Sequence, residues 1–235
     1  VVFFQVEDYY GNTNQCMVEV LVEDKLAPFK TEDVQDDAIA CDDYFTNYAL
    51  LLDAAAANGD LNPQVLIDAF GDVSYDDNCE AIVTTSWGRN VNTCGVGTIT
   101  RTWSVVDASG NVGESCSQTI DVFHVNDWSI QFPADQNVVC VAGQDEIAGV
   151  DFGEPTVFDD DCELIAISTE DELYNVVPDA CYRIIRTYTA INWCVYDGDN
   201  QEDDVLIGTR RYRDGGDGIV TYSQNVTVED EIAPV

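Results

Sequence analysis

A phrase recurs three times along this chain: Val22-Glu23-Asp24 running to Ala27-Pro28, Val125-Asn126-Asp127 running to Pro133, and Val228-Glu229-Asp230 running to Ala233-Pro234. The three prolines stand about 100 residues apart, the length of one small β-domain. A unit that restarts after each acidic, proline-ended joint belongs to a tandem array. Residues 1–27 read as the closing strands of a preceding unit, 28–128 as one complete unit and 129–235 as a second. The chain opens in mid-strand, at Val1-Val2-Phe3-Phe4, as expected of a window on a longer protein.

Within each unit, apolar and polar residues alternate over short runs separated by turn residues. Val2 to Asp8, the turn Tyr10-Gly11-Asn12, and Cys16 to Val22 form one such pair of runs. Thr100 to Asp107, the turn Ser109-Gly110-Asn111, and Cys116 to Val125 form another. This is the signature of an antiparallel hairpin. The middles correspond as well: Asp76-Asp77-Asn78-Cys79-Glu80 matches Asp159-Asp160-Asp161-Cys162-Glu163, and Arg101-Thr102-Trp103 matches Arg186-Thr187-Tyr188. The fold class expected is all-β, with tandem β-sandwiches. Two excursions decorate the repeat. A helical insert is expected near 46–70, with Thr46 as N-cap, an Ala/Leu run from Ala49 to Ala57, a stop at Gly59, and a second helix from Asn62-Pro63 to Gly71. An extended hairpin is expected near 195–222.

The nine cysteines, without a CxxC pair, predict an oxidised, extracellular framework. The first unit holds Cys41, Cys79, Cys94 and Cys116, and the second holds Cys140, Cys162, Cys181 and Cys194. Four cysteines allow three connectivities. The two middle cysteines are the nearest neighbours in each unit, which favours Cys79–Cys94 and Cys162–Cys181. Cys41–Cys116 and Cys140–Cys194 then remain, and Cys16 looks to a partner upstream. Structural zinc is disfavoured, because it draws ligands from a short cysteine knuckle that is absent here.

Acidic residues number 45 against 9 basic ones, a formal charge of −36. Such a field repels nucleic acid and anionic membranes, and no apolar run approaches the roughly 18 residues that would span a bilayer. It also repels itself, which bound Ca²⁺ would relieve. The candidate ligands are the joints, Glu23, Asp24, Asp127, Glu229 and Asp230, and one loop per unit, Asp76 and Asp77 or Asp159, Asp160 and Asp161. Clustered hard oxygens are what calcium requires; a solvated acidic surface is the competing explanation.

Catalysis is not expected. The single histidine, His124, sits in an alternating strand, where a structural role outweighs that of a general base, and no Ser-His-Asp arrangement can be assembled without it. Trp103 aligns with Tyr188 and is expected in the core. Trp87, and Trp128 just past a joint, are the candidates for contact with a sugar or a neighbouring module. Arg101 and Arg186 are expected to brace nearby acidic loops.

The run Asp76-Asp77-Asn78-Cys79, then Cys94 through Arg101-Thr102-Trp103 to Asp107-Ala108-Ser109-Gly110-Asn111, then Cys116 and the joint, resembles the hyalin-repeat-like, immunoglobulin-type modules of giant bacterial surface adhesins. Those occur in gliding bacteria that use type IX secretion and in grappling-hook filaments. The second unit departs from the pattern where Ile191-Asn192-Trp193-Cys194 replaces the Asp-x-Ser-Gly-Asn turn. The resemblance implies a non-enzymatic adhesive or structural segment at the bacterial cell surface, whose partners are neighbouring repeats, a homo-oligomer or filament, and surface glycans. The alternatives are a carbohydrate-binding module of a secreted enzyme and a fibre subunit that assembles by strand addition.

Overall fold

The structure, a computed structural model, describes residues 1–139, 150–159, 161–175, 181–198 and 203–229. In chain order its elements begin with β1 (Val2–Glu7), β2 (Thr13–Val18), β3 (Phe29–Glu32) and β4 (Asp37–Ala40). The helical insert follows as α1 (Cys41–Asp43), a π-helical turn (Tyr44–Tyr48), α2 (Ala49–Ala57) and α3 (Gln64–Phe70). Next come β5 (Ser74–Asp76), β6 (Ala81–Val91), β7 (Gly97–Asp107), β8 (Cys116–Phe123), β9 (Ser129–Gln131) and β10 (Gln136–Val139). The chain closes with β11 (Thr156–Phe158), β12 (Ile165–Tyr174), β13 (Tyr182–Asn192), β14 (Val205–Gly208), β15 (Arg211–Arg213) and β16 (Ile219–Glu229). The fold is all-β with one small helical insert, as the patterning predicts.

Packing divides the chain into two compact units, one of residues 1–37, 55–88 and 100–119, the other of 38–54, 89–99 and 120–235. Strand order recurs along the chain. β3 pairs with β5 and β4-β8-β7-β6 form a sheet; later, β9 pairs with β11 and β10-β16-β13-β12 form a sheet. The excursion after Cys194 forms the hairpin β14–β15, and β15 adds to β9. Strand β7 shows why these residues choose this structure: Ile99, Arg101, Trp103, Val105 and Asp107 are buried, while Thr100, Thr102 and Ser104 between them are exposed. A period of two can present one face to a core and the other to water.

The first unit centres on Trp103, which is buried and donates its indole N–H to Asp72 Oδ1 at 2.7 Å. Arg101 is buried beside it. Its guanidinium donates to the Gly71 carbonyl at 2.7 Å and to Gln118 Oε1 at 3.1 Å, and stands over the Trp103 ring. Burial lowers the Arg101 pKa, and Asp72 opposes that shift. The arginine therefore braces the segment that ends the helical insert. The insert itself begins at Cys41 rather than at Thr46, which lies inside the π-helical turn and caps nothing. Asp42 and Asp43 occupy the first turn, where carboxylates complement the exposed N–H groups of a helix start. Gly71 ends the insert with φ +79°, a backbone conformation that favours glycine.

In the second unit Trp128, Ile130, Phe132, Tyr188, Ala190 and Val220 form one buried cluster, with Val157, Ile165, Tyr212 and Tyr222 packed against it. The residues come from both sheets, so β9, β11 and β15 face β12, β13 and β16 across a shared interior. Trp128 is fully buried. It is not the exposed contact residue expected of a position just past a joint, because the chain after Asp127 enters the core at once.

A buried glutamine repeats the same fastening in both halves. Gln118 Nε2 donates to the Gln35 and Phe70 carbonyls at 2.8 and 3.2 Å, and Gln224 Nε2 donates to the Ala134 and Phe152 carbonyls at 2.6 and 3.0 Å. One residue further on, Thr119 N–H donates to Asp36 Oδ1, and Asn225 N–H donates to Asp135 Oδ1.

The disulfides correct the expected pairing. Cys41 bonds to Cys162 and Cys94 to Cys194, across 121 and 100 residues. These two bonds exclude all four expected pairs: Cys79–Cys94, Cys162–Cys181, Cys41–Cys116 and Cys140–Cys194. Cys16, Cys79 and Cys116 are thiols, and Cys140 lies outside the described residues. Spacing along the chain measures how cheaply a loop closes, not which loops the sheets bring together. All four bonded cysteines lie in the second compact unit, and Gly95 shows how tightly they are packed. With φ +67°, Gly95 sits so close to Cys41 that a Cβ there would lie 2.1 Å from Cys41 Cβ. Only glycine fits both constraints.

Candidate functional site

Three elements of the first unit converge at one point. The joint supplies Asp24, the loop after β5 supplies Asp77, and the turn after β7 supplies Asp107, with carboxylate oxygens all within 4.8 Å of one another. Local hydrogen bonds position each residue. Asp107 Oδ1 accepts from the N–H groups of Ser109 and Asn111, and Asn111 Nδ2 donates to Asp107 Oδ2, to the Asp24 carbonyl and to the Leu26 carbonyl. The Asp-x-Ser-Gly-Asn turn thereby pins the joint. The Asp24 carboxylate is held below the ordinary carboxylate range, first by the Asn78 side-chain amide and then by the Leu26 N–H. Its Oδ2 is buried with no hydrogen-bond partner among the described residues. A buried, unpaired carboxylate oxygen is costly unless something positive meets it.

The residues fit a hard cation. Ca²⁺ takes six to eight oxygens, and this cluster offers three carboxylates around an unsatisfied oxygen. Asp24, Asp77 and Asp107 would hold the ion, which would neutralise their mutual repulsion and tie joint, loop and turn together. Two other groups have metal-like spacing, Cys41-Asp42-Cys162 and His124-Glu163-Cys194. Their sulfurs are disulfide-bonded and supply no thiolate.

Of the ligands expected from sequence, Asp24 and Asp77 meet. Glu23 is exposed and pairs with Lys25, Asp76 accepts from the Asp77 N–H, and Asp159 pairs with Arg211 at 3.3 Å. Glu229 closes β16; Asp160 and Asp230 lie outside the described residues. Asp127, Asp159 and Asp161 gather instead around Asp42, whose pKa is raised first by burial and then by Asp127 and Asp161. Asp107 was missed among the expected ligands. Its signal was the turn itself, since Asp8 makes the same bonds to Tyr10 N–H, Asn12 N–H and Asn12 Nδ2. The second repeat carries Asn192 at this position; it accepts from Cys194 N–H and donates to Glu163.

Glu163 is buried, pairs with His124 Nε2 at 2.9 Å and leaves Oε1 without a partner among the described residues. His124 is thus engaged structurally. A further acidic site joins Asp204, Asp214 and Asp217, where burial and then the Asp214 charge push the Asp204 pKa up to about 6. Trp87 is half-buried and donates its indole N–H to the Asp60 carbonyl at 2.9 Å, so it fastens the helical insert. A cavity of about 330 Å³ beside the π-helical turn contains Arg89. Its guanidinium is engaged by Tyr44 Oη, the Ala49 carbonyl and Asp53. No helix among the described residues is long and apolar enough to cross a membrane.

No protein-family model matches the chain, and no curated protein matches it.

Proposed function

We propose that this chain is a structural and adhesive segment of a long extracellular repeat protein on a bacterial surface, built of immunoglobulin-like sandwiches that give reach and contact with other cells or surfaces. The observation that carries this reading is the repeated glutamine fastening, Gln118 in one half and Gln224 in the other, with its companions Asp36 and Asp135. A hydrogen-bond pattern reproduced at this level of detail is expected of tandem copies of one module. Two disulfides fit an oxidising compartment. Calcium belongs to the same reading: an ion held by Asp24, Asp77 and Asp107 would stiffen the joint that precedes the module. The test is electron microscopy of the parent protein, in calcium and in chelator. Thin fibres with a regular bead spacing are expected, straighter in calcium; a single compact particle overturns the reading.

Assembly by strand addition is a second reading favoured by one observation. Strands β1 and β2 are exposed along their whole length, including Phe3, Phe4, Val6 and Met17. Concentration-dependent association of the chain that is lost in Phe4→Asp is the expected result, and a monomer at all concentrations removes it. The carbohydrate-module alternative loses one of its two aromatic contacts with the burial of Trp128.

A further inference from the structure

We infer that Cys79 is the attachment point for a disulfide to a preceding unit of the same protein, formed with the cysteine at the position that Cys41 occupies here. This rests on the array reading and adds a covalent bond to it. Two loops are equivalent by both sequence and structure. Asp76-Asp77-Asn78-Cys79-Glu80 follows β5, the short antiparallel partner of β3, and Asp159-Asp160-Asp161-Cys162-Glu163 follows β11, the short antiparallel partner of β9. The strand after each loop, β6 or β12, lies beside the long central strand β7 or β13.

Cys162 does not bond within its own repeat. Its partner is Cys41, which directly follows β4 and lies 121 residues earlier. The same relation applied to Cys79 places its partner N-terminal to Val1, in a unit whose closing hairpin is already seen as β1–β2. Cys79 is exposed and carries a thiol, so the position that is bonded in the second repeat is open in the first.

The surroundings give an independent reason. At the bonded loop, the segment that closes the earlier repeat lies against the site: Val125 N–H points at Cys41 Sγ at 3.3 Å, and His124 pairs with Glu163, the residue after Cys162. At Cys79 the corresponding joint is already docked, with Asn78 Nδ2 donating to Asp24 Oδ1 at 3.1 Å. The loop therefore has the Asp24 joint docked beside a thiol that itself hydrogen-bonds to the Asp24 carboxylate, and it carries no disulfide partner. Forming the bond removes two protons and two electrons from two thiols, and the electrons go to a disulfide oxidant of the compartment. The Cys79 thiolate attacks the oxidant's disulfide and expels one thiolate. The partner thiolate then attacks Cys79 Sγ in the mixed disulfide and expels the other.

The test uses the parent protein, isolated without reductant and quenched with N-ethylmaleimide, then digested and mapped by mass spectrometry before reduction. The expected result is a Cys79 peptide joined to a cysteine upstream of Val1, at a separation near the 121 residues of the Cys41–Cys162 bond. Cys79→Ser should expose one additional reactive thiol, located in that upstream peptide. Recovery of Cys79 as its maleimide adduct, or joined to Cys16, Cys116 or a second copy of the chain, overturns the inference while leaving the array reading intact. A parent sequence with no repeat upstream of Val1 overturns the array reading itself.

Discussion

The loops ending in Cys79 and Cys162 carry nearly the same residues and stand in opposite chemical states. The second is closed: Cys162 is bonded to Cys41, and the turn beside it offers an uncharged Asn192. The first is open: Cys79 is a thiol, and the turn beside it offers Asp107, which completes a cluster of three carboxylates. A loop sequence thus sets what a site can do, whereas the covalent or ionic partner that reaches it sets what the site becomes. At the second loop the turn beside the bonded sulfur carries no carboxylate; at the first, three carboxylates meet beside the thiol and can take a cation in addition to any bond the sulfur forms.

Four measurements break or sharpen this contrast. The largest effect is expected from Cys162→Ser, which opens a loop of 121 residues. A loss of about 4 kcal/mol, or a Tm lower by roughly 10 °C, should appear in calorimetry. Cys79→Ser in the same chain should move Tm by no more than about 1 °C, and an equal drop in both variants would erase the distinction. Next, Asn192→Asp places a second carboxylate against buried Glu163 and removes a donor to it. Urea unfolding at pH 7 should show a loss of about 3 kcal/mol; a neutral result would mean the two turns are interchangeable.

Asp107→Asn makes the first turn resemble the second. Calcium at a hundredfold excess over its Kd should stabilise the unaltered chain by about 2.7 kcal/mol, and that gain should vanish in the variant. A Tm unmoved by millimolar calcium in both proteins removes the metal site. The smallest effect concerns Asp204, whose pKa is raised from 3.8 to about 6. The folded state favours its protonated form, so this contribution to stability is complete below about pH 4 and is lost as pH rises through about 6. Asp204→Asn should therefore raise Tm by about 2–4 °C at pH 7.5 and by less at pH 4.5. The reverse order would show that burial and the Asp214 charge do not penalise the Asp204 carboxylate.

What could be read from sequence was what local chemistry dictates. Gly71 ends the helical insert because only its backbone freedom suits that position, and Trp103 and Tyr188 lie in the cores because strand alternation puts them there. A joint and a loop recurring at one spacing marked Asp24 and Asp77 as candidates; that they meet is visible only in the structure. The failures came where distance along the chain substitutes poorly for distance in space. Cys79 and Cys94 stand at the two ends of one strand, β6, yet only Cys94 is bonded, and to Cys194. Trp128 looked like linker because it follows an acidic phrase, but the phrase ends where the interior begins. Asp107 was hidden by its ordinary role in a turn, since a residue that shapes the backbone gives no separate sign that its carboxylate lies beside two others.

The interlaced bonds Cys41–Cys162 and Cys94–Cys194 also determine how this segment answers a pull on its ends. Tension entering at Cys41 crosses directly to Cys162 through sulfur, so the chain between them, a sequence separation of 121, is bypassed and bears no load. Roughly 400 Å of potential extension is withheld. Under such a pull the segment stays short and lengthens only when a reductant reaches its sulfurs.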